Sequence, residues 1–401
     1  MKRAAPRVLG GVVCAAGIGF GLWFGSSLAG CGTQTRTADF RGFDGRVTAS
    51  AGPALAVRWT LPLFTDLGGR YIPVEQASPA VDPRRGRVYV GSTRGTLWAL
   101  DASDGRKLYG HDAGSAIEAQ PTVDPERDEV YAVSVRGVVL ALRGKSGAQR
   151  WKADVQSSVS QPGKLSADAL YIATDEDSVV ALSRTDGSVL WRYKRERSEG
   201  FAIVGHAGIA VADTTVITGF GDGVVVALDA SDGRVRWELD TATDLEDLDP
   251  TRRFPDIDTT PAIAGDVVYV ASFSGGLYGI ELATGALRHQ DSSVHAVTGL
   301  TATQDALIVS SAEHGVVCLD LPGLTPRWRY KPHRGAPGAT HAEHGRVYVA
   351  ESLGALVSLS LADGHEVGRL QTDHGFTAPA ILDGHRGFAL SNAGTIYAFV
   401  Y

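Results

Sequence analysis

One small residue recurs along this 401-residue chain at intervals of about forty positions, and that period constrains the fold more than any other feature. Aligned on Val226-Ala227-Leu228-Asp229-Ala230-Ser231-Asp232-Gly233-Arg234-Val235-Arg236-Trp237, the column reads Ala99, Ala141, Ala181, Ala227, Gly279, Cys318, Ser358 and Ala398. The successive spacings are 42, 40, 46, 52, 39, 40 and 40 residues. Each interval holds four short strands and their turns, so the chain is expected to be all-β, an eight-bladed β-propeller with its repeats starting near Ser78. The length alone would allow two or three average domains, but a repeat array absorbs it in one. The two long spacings locate two insertions, in the third-to-fourth and fourth-to-fifth intervals.

Other columns agree with this register. Four residues before the small column stand Gly95, Gly137, Asp177, Gly223, Gly275, His314, Gly354 and Gly394, mostly residues that accept positive φ in a tight turn. His314 precedes Gly315 and shares that turn. Apolar, β-branched runs such as Val267-Val268-Tyr269-Val270 come before the turns and predict buried central strands. Ten residues after the small column lie Tyr109, Trp151, Trp191, Trp237, His289, Trp328 and Gly368, mostly large rings that would cover apolar area between blades. The Asp-Gly pairs at 104–105, 186–187, 232–233 and 363–364 are hairpin turn chemistry. The eighth repeat reaches Tyr401 after only three strands. The segment around Trp59, with its ring at the aromatic position, is expected to supply the fourth strand and close the ring, which removes exposed sheet edges.

The first thirty residues read differently. Lys2, Arg3 and Arg7 precede an apolar stretch, Val8–Phe24, and then Leu28-Ala29-Gly30-Cys31, which is expected to be a secretory signal over residues 1–30. That last tetrapeptide is similar to the lipobox of bacterial lipoproteins, in which the cysteine is acylated and becomes the mature N-terminus; lipidated Cys31 would begin a flexible tether over 31–51, and the propeller would occupy 52–401. Loss of the three basic residues takes the formal charge from −7 to −10. An acidic domain without a basic patch argues against a nucleic-acid partner. With Cys14 in the signal and Cys31 acylated, Cys318 is left alone, so no internal disulfide is expected.

No residue constellation points to catalysis. His341 and His344 fall at a strand and its following turn, where positions three apart on a strand point to opposite faces, so no metal site is expected. Asp244, Glu246, Asp247 and Asp249 in the longer insertion lack the glycine and terminal glutamate spacing of a calcium loop. Cys318 occupies the small column and is read as a buried apolar side chain. Nucleophile elbows, phosphate loops and haem-attachment motifs are absent from the sequence.

The Ala227–Trp237 motif resembles the repeat of pyrroloquinoline-quinone-type propellers, over Ser78 to Tyr401. That superfamily contains quinone-dependent dehydrogenases and cofactor-free scaffolds; the dehydrogenases usually carry a vicinal cysteine pair and large insertions, and this sequence has neither. The lipobox, the eight repeats and Asp256-Ile257-Asp258-Thr259-Thr260-Pro261 together resemble the BamB family of lipoproteins of the outer-membrane β-barrel assembly machine. In that family the two aspartates of this motif, with an apolar-Xaa-apolar-Arg stretch in the preceding long loop, contact the periplasmic domains of the barrel-insertion protein. By this resemblance Asp256, Asp258, Phe201 and Ile203 are the implied partner-binding residues, and Val204 stands where the family has arginine. Arg252 and Arg253 are nearby candidates to supply that charge. The resemblance implies a non-enzymatic scaffold without cofactor, a monomer within a complex, lipid-anchored on the periplasmic face of the outer membrane. A quinone-dependent oxidoreductase with its cofactor in the central channel, or an adaptor for another envelope complex, are the alternatives.

Overall fold

The computed structural model describes residues 48–49, 55–64, 74–196, 207–242 and 254–401. The strands group into eight antiparallel sheets, the eight blades expected from the repeat. Blade 1 runs from the channel outward as Ala80–Asp82, Arg87–Val90, Thr96–Asp101 and Lys107–Asp112. Blade 4 repeats it as Ala210–Ala212, Thr215–Gly219, Val224–Asp229 and Val235–Asp240. Turns between first and second strands, and between third and fourth, lie on one face of the ring. Turns between second and third strands, and the connections between blades, lie on the other.

The eighth blade is closed as the sequence predicts. Ala56–Pro62 pairs antiparallel with Thr395–Val400, with Trp59 opposite Ala398. The same pairing of ring position with small position recurs in every blade, for example Ala141 with Trp151, Ala227 with Trp237 and Cys318 with Trp328. The column is small because a bulky side chain there would occupy the space of the ring on the neighbouring strand.

The core is divided rather than central. Each hydrophobic cluster joins two adjacent blades: Tyr171 and Trp191 of blade 3 with Val226 and Leu228 of blade 4, or Phe388 and Ile396 of blade 8 with Val88 and Leu100 of blade 1. At most seams the ring of the outer strand lies across the glycine turn between the third and fourth strands of the next blade and bonds to it. Trp191 and Trp237 Nε1 donate to the carbonyls of Ala230 and Leu282 at 3.0 and 2.9 Å. Trp59 does the same to Ala102, at 3.2 Å. Glycine in that turn serves both conformation and space: Gly233 has φ of 73°, and a Cβ there would stand 2.6 Å from the Trp191 ring.

Three local expectations are corrected. Blades 5 and 6 take the left-handed step at Gly276 and Gly315 instead of Gly275 and His314, since a glycine one place later is available. Gly354 is not left-handed; it is glycine for space, because a Cβ would meet Glu351 Cβ at 3.2 Å. Within the expected tether, Thr48–Ala49 pairs with Gln371 and Leu370 as a fifth strand on blade 7, where the outer edge offers unpaired backbone groups to any extended segment. The missing ring at Gly368 is also made good: Tyr401 meets Tyr348 edge-on at 5.4 Å and donates to the Gly384 carbonyl.

Candidate functional site

Both insertions leave the ring on the same face, either side of blade 4. The first departs at Arg195, whose amide donates to the Asp177 carbonyl at 3.0 Å and whose guanidinium pairs with Asp222 and, at 3.3 Å, with Glu238. Burial works to lower its pKa, but Asp222 and Tyr193 together hold it above the usual arginine value. The second departs at Thr241, whose amide and hydroxyl both bond the Gly223 carbonyl, at 3.1 and 2.8 Å. Residues 197–206 and 243–253 lie outside the described residues. Phe201, Ile203, Val204, Arg252, Arg253 and the acidic residues 244–249 fall there, as does Cys31 with the expected signal.

The returning segment Phe254–Pro261 threads between the second-to-third-strand turns of blades 4 and 5. The Ile257 amide donates to the Phe220 carbonyl at 3.2 Å on one side, and the Phe273 amide to the Asp256 carbonyl at 3.1 Å on the other. Close approach is allowed by glycines of blade 4: a Cβ on Gly223 would sit 2.9 Å from Pro255, and Ile257 and Thr260 lie directly over Gly219 and Gly208. Thr259 Oγ1 accepts the Ala271 amide at 3.1 Å. The Asp-Xaa-Asp-Thr-Thr-Pro stretch is thus built into the scaffold.

This threading treats the two aspartates differently. Asp256 is 0% exposed, while Asp258 is partly exposed. Asp258 Oδ2 is buried with no hydrogen-bond partner among the described residues. Burial, then the nearby charges of Asp256 and Asp177, push its pKa up to about 7. Asp177 belongs to the same cluster, since its Oδ1 accepts the Gly221 amide at 3.1 Å. A Cβ on Gly221 would lie 3.5 Å from Asp256 Oδ1 and 3.7 Å from Asp177 Oδ1. The structure therefore joins Asp256 and Asp258 with Asp177, Asp222 and Arg195, which sequence reasoning did not single out. The signal for Asp177 was present: it is the aspartate in a turn column otherwise filled mostly by glycine.

Of the remaining candidates, Cys318 resolves as packing. Cys318 is 0% exposed, and burial pushes its thiol up to about 11, which leaves it protonated and a poor nucleophile. His341 lies on the strand Pro337–Glu343, but His344 follows it in a left-handed conformation, φ 51°. The facing argument therefore does not separate them: His341 Nε2 and His344 Nδ1 lie 3.3 and 3.5 Å from the two oxygens of Glu343. No group of three potential ligands among the described residues could hold a metal ion.

Comparison with known proteins places this architecture in a family. The family model described as outer membrane protein assembly factor BamB matches residues 126–330, just over half of the chain. The assembly factor BamB of Burkholderia pseudomallei is 26% identical over 351 residues, covering 86% of this chain and 89% of that protein. That of Yersinia pestis is 23% identical over 240 residues, and the match spans 59% of this chain and 60% of the relative's length. The crystal structure of BamB from Moraxella catarrhalis superposes with a TM-score of 0.73 at 22% identity, covering 86% of this chain and all of that one; at such identity the likeness speaks for the fold. By the family match, and in keeping with the eight-bladed ring, this chain belongs to the family of outer membrane protein assembly factor BamB.

Proposed function

We propose that this chain is a non-enzymatic scaffold that assists assembly of β-barrel proteins into the outer membrane by holding the periplasmic domains of the barrel-insertion protein. The observation that carries this is that both insertions depart from one face, either side of blade 4, with the Asp256–Pro261 segment anchored between the turns of blades 4 and 5. Binding residues on loops over a rigid ring are held in place at small entropic cost. Phe201, Ile203 and Val204 would contribute apolar contact, and Asp258 is the carboxylate available to a partner cation. Asp256, fully buried, would position the segment and Asp258. Cys31 would carry the lipid that keeps the ring at the periplasmic face.

The residues do not fit the quinone enzymes of the same repeat superfamily. Cys318 is enclosed in the third strand of blade 6 between Val317 and Leu319 and has no vicinal cysteine. Capture from detergent-solubilised membranes tests the proposal: the wild-type chain should recover the barrel-insertion protein, and failure to recover it would overturn the scaffold role. Saturable binding of quinone with calcium, accompanied by dye reduction, would favour an oxidoreductase instead.

A further inference from the structure

The central channel contains a charged group that the proposed scaffold role does not use. Two cavities of about 330 Å³ each open along its wall, one lined by first strands of blades 8, 1, 2 and 3 and the other by those of blades 3, 4 and 5. Lys164, on the first strand of blade 3, lines both. It is the sole lysine or arginine in either lining. Most of the lining residues are apolar or proline by type, including Pro121, Pro162, Ile209, Pro261 and Leu382, although polar atoms make up slightly more than half of the exposed wall.

Lys164 makes no ion pair or side-chain hydrogen bond among the described residues. The other charged side chain in the lining, Asp383, is paired with Arg386. Burial alone lowers the Lys164 pKa, since no carboxylate lies close enough to hold the charge. Lys164 is partly exposed to the channel, and an ammonium held even partly out of water without a counter-charge is costly. The Gln120 amide is already given to the Pro79 carbonyl at 2.7 Å. Thr260 also lines the second cavity, with its Oγ1 lying over Gly208.

We propose that the central channel binds a small oxyanion, a carboxylate or a phosphate, at Lys164. Each cavity is at the lower end of the range for small-ligand sites, ~300–1,000 Å³, so the ligand is a compact metabolite-sized anion. This goes beyond the scaffold role and stands on Lys164, which that role does not use, so either can fail without the other.

The test uses the full-length chain in detergent, with its lysines labelled by reductive ¹³C-methylation and followed by NMR at constant ionic strength. In chloride buffer one resonance should titrate below the others; adding inorganic phosphate or succinate should shift it saturably and raise its titration midpoint by about one unit or more, that is tenfold or more in proton affinity. The probe that saturates at lower concentration identifies the source of the oxyanion. Lys164→Gln should remove that resonance and the anion-dependent rise in melting temperature, whereas Lys164→Arg should keep the rise. Absence of a saturable shift with either probe, or equal shifts at all lysines, overturns the proposal. The wild-type titration decides the matter if Lys164→Gln does not fold.

Discussion

At the scale of single residues, the structure makes two sharp demands. Gly233 must be glycine twice over, for its left-handed backbone and for the Trp191 ring above it. Gly86 shares the positive φ but has open space where a Cβ would lie, so the pair separates the two effects. Gly86→Ala should cost about 1 kcal/mol of backbone strain, and Gly233→Ala roughly 2–3 kcal/mol more from displacing the ring, measured by urea unfolding. Equal costs would show that the ring does not depend on that close approach. Asp258 makes the second demand. Its folded pKa of about 7 lies above the ordinary carboxylate value near 4, so between about pH 4 and 7 the folded state keeps a proton that the unfolded state has lost. Stability from this group is therefore greatest at low pH, falls as pH rises through that window and levels off above about 7. Asp258→Asn should flatten the slope and stabilise the ring at pH 8 by about 1–3 kcal/mol. An unchanged pH profile of the urea midpoint would rule out a raised Asp258 pKa.

At the scale of elements, closure of the ring rests on one strand far away in sequence from the blade it completes. Ala56–Pro62 is held by its ladder to Thr395–Val400, by Trp59 over Gly105 and by the Trp59 bond to Ala102. Trp59→Ala should cost roughly 3 kcal/mol and raise hydrogen exchange at 395–400. Trp237→Ala, of similar cost, should leave exchange there unchanged because its seam lies between blades 4 and 5. Unaltered exchange in both variants would show that the ladder closes the ring unaided. Closure was legible in the sequence because the columns are counted per residue, and Trp59 occupies its column even though its blade is split between distant segments. The small column and its partner rings were legible for the same reason. The indole bonds to the next blade's turn were not, because they depend on the relative rotation of two sheets. The replacement of the ring missing at Gly368 by Tyr401 was hidden likewise, since it joins residues of different columns. The threading of Asp256–Pro261 was hidden too: the motif marks the residues, but the glycines that admit them belong to blade 4.

At the scale of the whole molecule, the alternation of turns gives the ring two chemically distinct faces, and the scaffold proposal assigns the partner to one. The formal charge of −7 would favour any cationic partner from a distance, so loss of binding on charge reversal is not by itself evidence of a docking face. Two variants with the same change in charge separate the effects. Asp258→Lys, on the insertion face, and Asp266→Lys, in the first-to-second-strand turn of blade 5 on the opposite face, each take the net charge from −7 to −5. Asp266 is 77% exposed, with a long contact of 3.7 Å to Arg288, so its replacement should perturb the fold little. If the partner docks on the insertion face, Asp258→Lys should weaken capture at least tenfold, about 1.4 kcal/mol, at constant salt. Asp266→Lys should stay within about twofold of the wild type, because a distant surface charge acts only through the screened long-range field. Equal losses would mean that the ring attracts its partner by overall charge, and the two insertions would then have no special claim to the interface.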